Sequence, residues 1–278
     1  MKIGFFITAR LKSSRLRHKV LLDLNGKPIL ERIIERCKIT GGVDGIVLCT
    51  STNPQDSALY EFAQKEKIQF YAGSEDDVLK RLLNAARYYH YDAFLSITAD
   101  NPLFSIYTSQ LLMDSFKKEP FDFGFTKGLP IGLATSLLEV NALDVAVHMK
   151  NQSDTEIWGP FLNRPDFFNV FHLIVANSPF DENKRLTVDY SEDYLLMCEI
   201  YKSFEKERII DIHSLGRFFE KNSHLWEINK QRSQKWPTQN ELEKIDHEFE
   251  AAKKSGSEFA ERISKNLVCA LRKETIFL

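Results

Sequence analysis

One pattern governs what this chain can become. Short runs rich in β-branched and aromatic residues alternate with longer stretches whose apolar residues recur at helical spacing. Residues 3–8 read as a strand and 29–38 as a helix, and the rhythm repeats at 45–50 and 56–65, 69–72 and 76–89, and 93–98 and 105–117. Strands separated by helices in this order bury their apolar surfaces as a largely parallel sheet with helices on both faces. A length of 278 residues allows one large domain of this kind or two small ones. Ligands of such sheets bind beyond the carboxyl ends of the strands, so the residues just after each strand are where chemistry is expected.

After about residue 121 the alternation loosens. Residues 121–127, 136–140 and 169–176 read as strands, with helical stretches near 142–150 and 155–162. From residue 191 the pattern is chiefly helical, and 239–254 and 258–272 carry apolar residues at helical spacing amid dense charge. Trp236-Pro237-Thr238 marks a break before that terminal unit, with Thr238 as its expected cap and Glu241 three residues on. There is no internal repeat and no low-complexity linker.

Charge and cysteine usage exclude several classes. With 37 Lys and Arg against 39 Asp and Glu, the net charge of −2 provides no general field for a nucleic-acid polyanion. Cys37, Cys49, Cys198 and Cys269 form no CxxC pair and have no closely spaced histidines, which argues against structural zinc and a disulfide framework. The apolar runs are of strand length and the first ten residues lack a signal peptide's apolar core. Neither membrane insertion nor secretion is expected, and the reducing cytoplasm is the expected location.

The most informative segment follows the first strand: Ala9-Arg10-Leu11-Lys12-Ser13-Ser14-Arg15-Leu16-Arg17-His18-Lys19-Val20-Leu21. Five cations fall within ten residues. At the mouth of a parallel sheet, arginine, lysine, serine and backbone donors can together neutralise a phosphate chain. A basic run can equally be a solvated surface loop, but its place after the first strand favours a polyphosphate. Neither GxGxxG nor GxxxxGK[ST] is present, which disfavours a Rossmann dinucleotide site and a P-loop.

Four pieces in order carry a family resemblance. They are Ala9-Arg10-x-x-Ser13-x-Arg15-Leu16-x-x-Lys19-x-Leu21 with Gly26-Lys27-Pro28; Gly73-Ser74-Glu75-Asp76-Asp77-Val78-Leu79-Lys80-Arg81; Thr98-Ala99-Asp100-Asn101-Pro102; and Arg185-Leu186-Thr187-Val188-Asp189. Over residues 2–205 the chain resembles the cytidylyltransferases that make CMP-activated sugars, most closely the spore-coat polysaccharide biosynthesis branch. The resemblance implies an α/β fold: a three-layer αβα nucleotidyltransferase of GT-A-like build, with a mostly parallel mixed sheet. It places that domain at 1–230, with about 121–180 shaping the acceptor side, and leaves a helical C-terminal extension at 231–278.

For function the resemblance implies transfer of CMP from CTP to a sugar or related small acceptor, with release of pyrophosphate and Mg2+ as cofactor. Arg10, Lys19 and Asp100 would be catalytic, and Ala9, Arg10, Ser13, Arg15, Lys19, Asp77 and Arg81 would surround the nucleotide. Asp100 and Asp189 would hold the metal, and Ser136 and Glu156 would face the acceptor. The relatives also suggest a homodimer. From the residues alone, Asp100 is either a metal ligand at a strand tip or a cap for the helix starting near Ser105. Asp193 reads as a first-turn helix residue, and Glu75, Asp76 and Asp77 as an acidic first helical turn.

The chain departs from the family pattern at several positions. Lys12 stands where relatives carry glycine, and Arg17-His18 where they carry Pro-Gly, so an altered path of the phosphate loop is expected at Lys12 in particular. Ser136 replaces a glutamate, and Ile157 replaces the histidine that follows Glu156. Both of these fall on the acceptor side, so an uncommon acceptor is expected. His148 and His172 are the nearest general-base candidates, although a lone histidine is more often structural. A metal-dependent glycosyltransferase of similar build is an alternative, but its Asp-x-Asp is absent from Thr98-Ala99-Asp100. The third reading is a nucleotide-binding protein without turnover.

Overall fold

The computed structural model of the chain describes residues 1–254 and 270–278. Strands β1 (Ile3–Thr8), β2 (Gly45–Ser51), β3 (Gln69–Gly73) and β4 (Ala93–Thr98) alternate with helices α1 (Ile29–Ile39), α2 (Leu59–Glu66) and α3 (Val78–Tyr88). α4 (Ile106–Lys118) leads into β5 (Phe123–Lys127), β6 (Ser136–Glu139), α5 (Val140–Met149) and β7 (Val170–Ala176). The helices α6 (Ser191–Ser203), α7 (Ile212–Lys221) and α8 (Gln239–Lys254) follow, and β8 (Leu271–Phe277) is the last element.

The sheet has eight strands in the order β3-β2-β1-β4-β6-β5-β7-β8. β6 runs antiparallel to β4 and β5, while the remaining pairs are parallel, so the sheet is mixed but mostly parallel as expected. Alternating strand residues feed opposite faces. Phe5 and Ile7 join a core under α1, α2, α4, α6 and α7, whereas Phe6 and Val47 join a second core under α3, α5 and α8. Each fully buried phenylalanine contributes about 1.5–3 kcal/mol of transfer free energy, which makes Phe5, Phe6 and Phe94 substantial anchors of the three layers. None of the described helices is long and apolar enough to cross a membrane.

Three local expectations are corrected. Residues 155–162 form bends and one 3-10 turn, Gly159–Phe161, rather than a helix; Pro160 and Pro165 remove donors there, and the Thr155 hydroxyl is committed to the start of α3. Residues 185–188, a run before Asp189 that reads from the sequence as strand-like, are not a strand. Leu186 N–H donates to Ile131 O at 2.8 Å and Val188 N–H to Asp100 O at 2.8 Å, so the segment bonds to two separate loops. The expected helix at 258–272 lies largely outside the described residues, and its last two positions, Leu271 and Arg272, belong to β8. That strand pairs in parallel with β7, so the C-terminal segment is not purely helical. The expected cap of α8 is present: Thr238 N–H donates to Glu241 Oε2 at 2.6 Å, and Glu241 N–H donates back to Thr238 Oγ1 at 3.3 Å.

Candidate active site

The parallel register of β1 and β4 sets Thr8 opposite Thr98, so the basic loop and Asp100 leave the sheet side by side at its carboxyl edge. The loop is tied down at its start by a residue that the sequence reading passed over. Buried Asp56 accepts Leu11 N–H at 2.7 Å and the Ser51 hydroxyl at 2.5 Å. The Ala9 N–H donates to Cys49 O at 3.0 Å, so Ala9 offers the cleft a wall and no amide donor. Leu16 N–H reaches the Ser13 hydroxyl at 3.4 Å, a local turn within the loop.

The left-handed residue of the loop is His18, with φ of 50°, immediately before the 3-10 turn Lys19–Leu21. Lys12 does not have positive φ. The loop thus places its left-handed residue at His18 and not at Lys12, and histidine tolerates this region better than most residue types. Lys12 instead reaches outward, to Glu75 Oε1 at 2.8 Å.

At the far end of the loop four side chains converge. Lys19 Nζ lies 2.6 Å from Asp100 Oδ2 and 2.8 Å from Asp189 Oδ1, and Arg15 Nη2 donates to the same Asp189 oxygen at 2.9 Å. Asp100 is not the α4 cap; Ser105 is, accepting Thr108 N–H at 3.1 Å. Its second oxygen, Oδ1, accepts the Thr98 hydroxyl at 2.5 Å. Asp189 stands beside Asp100 because Val188 is bonded to the Asp100 carbonyl, and that close passage requires a glycine at 132. Gly132 has φ of +102°, and a Cβ on it would sit 2.2 Å from Leu186 O.

Behind Asp189 lies a buried network joined by residues far apart in the chain. Arg185 Nη2 donates to Asp189 Oδ2 and to Asp193 Oδ2, both at 3.1 Å. Asn229 Nδ2 donates to Asp193 Oδ1 at 2.8 Å, and Asp193 Oδ2 accepts the amides of Asp189 and Tyr190 at 3.0 and 3.1 Å. Asp193 is a first-turn residue of α6 and is fully buried. Three carboxylates thus face three cations: Asp100, Asp189 and Asp193 against Lys19, Arg15 and Arg185. Burial acts to raise the Asp189 carboxyl, but Lys19, Arg15 and Arg185 outweigh it and hold it below the usual aspartate range. Burial pulls the Lys19 ammonium down, yet Asp100 and Asp189 carry it above the ordinary lysine value.

The opposite end of the cleft is formed by the turn before α3. Glu75 and Asp76 precede the helix, and Asp77 is its cap, accepting Lys80 N–H at 3.0 Å, so the expected acidic first turn is not formed. The rest of the Asp77 carboxylate is committed to Lys150 Nζ at 2.5 Å and the Thr155 hydroxyl at 3.1 Å. Arg81 is completely buried. Its Nη1 donates to Ser74 O at 2.5 Å and Glu75 O at 3.2 Å, while Nε and Nη2 have no partner. Burial lowers its pKa from the ordinary value, with Cys49 opposing and Arg10 reinforcing. Arg10 bridges the two sides of the cleft, bonding to Glu75 O at 3.1 Å and to Glu156 Oε1 at 3.2 Å.

Arg10, Ser13, Arg15, Lys19, Arg81, Asp100 and Glu156 all line one cleft of about 300 Å³. It continues past Asp189 and Tyr190 and opens beside a hollow of about 820 Å³ walled by Phe123, Phe125, Ser136, Glu156, Trp158 and Trp236. Ser136 and Glu156 are therefore brought together on that side, and the two tryptophans join them as site residues that no motif in the sequence marks. The histidines are placed elsewhere. His148 meets Asp144 on α5, and His172 is buried against Phe125 with Nε2 3.2 Å from Asn163 Oδ1; neither lines the cleft.

Two carboxylates directed at one point suit a divalent ion that fills its remaining positions with phosphate oxygens and water. Among the described residues no group of three or more His, Cys, Asp and Glu side chains gathers to hold a metal unaided. The donor set fits an ion bound jointly with a polyphosphate.

Residues 5–268 match the model of the cytidylyltransferase family. The chain belongs to that family. An uncharacterised protein of Methanocaldococcus jannaschii is 35% identical over 237 residues, covering 84% of this chain and 97% of the relative. The spore coat polysaccharide biosynthesis protein SpsF of Bacillus subtilis is 24% identical, covering 72% and 86%. In fold, this cytidylyltransferase is similar to the solved structure of a cytidylyltransferase from Leptospira borgpetersenii. That pair has a TM-score of 0.76 at 23% identity, over 85% of this chain and 100% of the other. Membership makes the protein a CTP-dependent nucleotidyltransferase whose acceptors are sugar-like.

Proposed function

We propose that this cytidylyltransferase moves CMP from CTP to a sugar or related small acceptor, releases pyrophosphate, and serves surface-glycan or related conjugate synthesis. The carrying observation is the meeting of Lys19, Asp100 and Asp189 at the strand tips, next to Arg10 and Arg15. The name of the Bacillus relative supports the glycan context.

An acceptor oxygen attacks the α-phosphorus of CTP; the new O–P bond forms as the bond to the pyrophosphate oxygen breaks, and no covalent enzyme intermediate is needed. The cleft aligns the reactants and neutralises charge that grows on the departing phosphates. Arg10, Arg15 and Lys19 supply that charge, with the Ser13 hydroxyl as a neutral donor. Asp100 and Asp189 would hold Mg2+, which when bound neutralises and orients phosphate oxygens. Arg81 supports the base end: its two unpartnered donors suit the carbonyl edge of a pyrimidine. Asp77 serves by holding the start of α3 and Lys150 in place.

On the acceptor side, Trp158 and Phe125 offer ring faces of the sort that sugars stack on, and Ser136 and Glu156 offer polar contacts. The cation in that wall, Arg164, is tied to Asp246 at 2.7 Å. The wall therefore favours an acceptor with little negative charge away from its reacting end. Incubation with each of the four nucleoside triphosphates, Mg2+ and a panel of sugar acceptors, with pyrophosphate measured, tests the reading. Release confined to CTP is expected. Release without base preference, consumption of nucleotide sugars, or binding with no product would overturn it.

A further inference from the structure

The Lys19 ammonium does more in this arrangement than offer a positive charge to phosphate. It lies 2.6 Å from one oxygen of Asp100 and 2.8 Å from one of Asp189, at the point where the two carboxylates converge. All three side chains are largely buried, at 14%, 19% and 6% exposure for Lys19, Asp100 and Asp189. Lys19 opens a 3-10 turn behind the left-handed His18, so its backbone is set and the ammonium is carried by a four-carbon stem that can swing. The charges of the cluster are matched three against three, as described above. A dication added without an anion would leave two uncompensated positive charges in a partly buried site, which is costly. A polyphosphate would offer Lys19 and Arg15 a new partner and free the carboxylate oxygens.

Resting on the metal assignment made above, we propose that Lys19 is an ammonium latch. It withholds Asp100 and Asp189 from a divalent ion until a nucleotide's phosphates draw it away, so uptake of metal is coupled to prior or simultaneous binding of nucleotide. Linkage makes the coupling reciprocal: the nucleotide tightens the metal by the same factor as the metal tightens the nucleotide.

The test uses Mn2+ as the probe and nucleotide-free full-length protein, with free ion followed by electron paramagnetic resonance. Lys19→Gln removes the charge, and Lys19→Arg keeps it. The Gln variant is expected to bind Mn2+ at least tenfold more tightly than the parent, the Arg variant no more tightly than the parent, and Lys19→Gln combined with Asp100→Asn to lose the gain. Mn2+ binding to the parent as tight as to the Gln variant would overturn the latch, as would equal tightening by Gln and Arg. Thermal melts establish that each variant is folded. Should the Gln variant not fold, Lys19→Met takes its place with the same expected tightening. Persistence of the gain in the double variant would overturn the metal assignment, while the reading as a cytidylyltransferase is scored separately by pyrophosphate release from CTP in the parent.

Discussion

The two walls of the cleft differ in how deeply their groups are buried and interlocked before any substrate arrives. On the nucleotide wall Asp189 is gripped by Arg15, Lys19 and Arg185, Asp100 is held by Thr98 and Lys19, and Asp56 pins the loop at Leu11. On the acceptor wall Glu156 has 64% of its side chain exposed, Trp236 is 69% exposed, and the connecting backbone is bends with one short turn. A wall built of interlocking charges on strand tips is preorganised for one chemistry, whereas a wall of rings and loops can be refitted to a new acceptor without disturbing it. Departures from the family pattern fall on both walls, but on the nucleotide wall they spare the residues that meet in the cleft: Lys12, Arg17 and His18 differ while Arg10, Ser13, Arg15, Lys19 and Asp100 match, whereas Ser136 and Ile157 replace polar groups on the acceptor side.

That contrast is open to attack at several strengths. The strongest is Asp100→Ala, expected to abolish turnover, by at least about a thousandfold if the metal and the Lys19 partner are lost together, with the melting temperature close to that of the parent; near-normal turnover in folded protein would refute the role of Asp100. Next, Arg15→Ala should cost about 3 kcal/mol of transition-state stabilisation, or roughly a hundredfold in kcat/KM for CTP, and steady-state kinetics will read it. Trp236→Ala, at a ring that lines the acceptor hollow but not the cleft of Arg10 and Lys19, should sharpen the division between the walls. It is expected to raise KM for the acceptor about tenfold, the size of one lost ring contact, and to leave KM for CTP unchanged; equal changes in both constants would mean the walls are not independent.

The smallest effect concerns pH. Burial, with Lys127 and Lys273 nearby, pulls the His172 pKa down from 6.5 to about 4. The unfolded chain takes up the proton first, so this contribution to stability is complete above about pH 6.5 and is lost as pH falls towards 4. Urea midpoints across that window should fall less in His172→Gln than in the parent, while a parallel pair of curves would contradict the shift.

Most of the nucleotide wall was legible because its signals are local. The β-then-helix rhythm gave β1, β2 and β4 nearly to the residue, and once Arg15, Lys19 and Asp100 are put at strand ends a parallel sheet must bring them to one edge. What escaped depends on contacts distant in sequence. Asp56, Arg185 and Asn229 are ordinary residues until the fold buries them against Leu11, Asp189 and Asp193. The segment 155–162 has helical apolar spacing, but Gly159 and Pro160 prevail over it, so Glu156, Ile157 and Trp158 face the acceptor hollow while Phe161 and Leu162 join the core under α3, α5 and α8. The left-handed residue of the loop is His18 and not Lys12, because the turn that positions Lys19, not the start of the loop, needs it. Trp158 and Trp236 lie 78 residues apart in sequence, and only the packing of α8 beside the acceptor loops puts them in one wall.

A crystal structure of the protein soaked with CTP and Mn2+ would probe the site most directly, through the anomalous signal of the ion. The peak is expected between Asp100 and Asp189, with the triphosphate against Arg10 and Arg15 and the Lys19 ammonium moved onto a phosphate oxygen. A nucleotide bound away from the loop after β1, or an anomalous peak that touches neither aspartate, would contradict it.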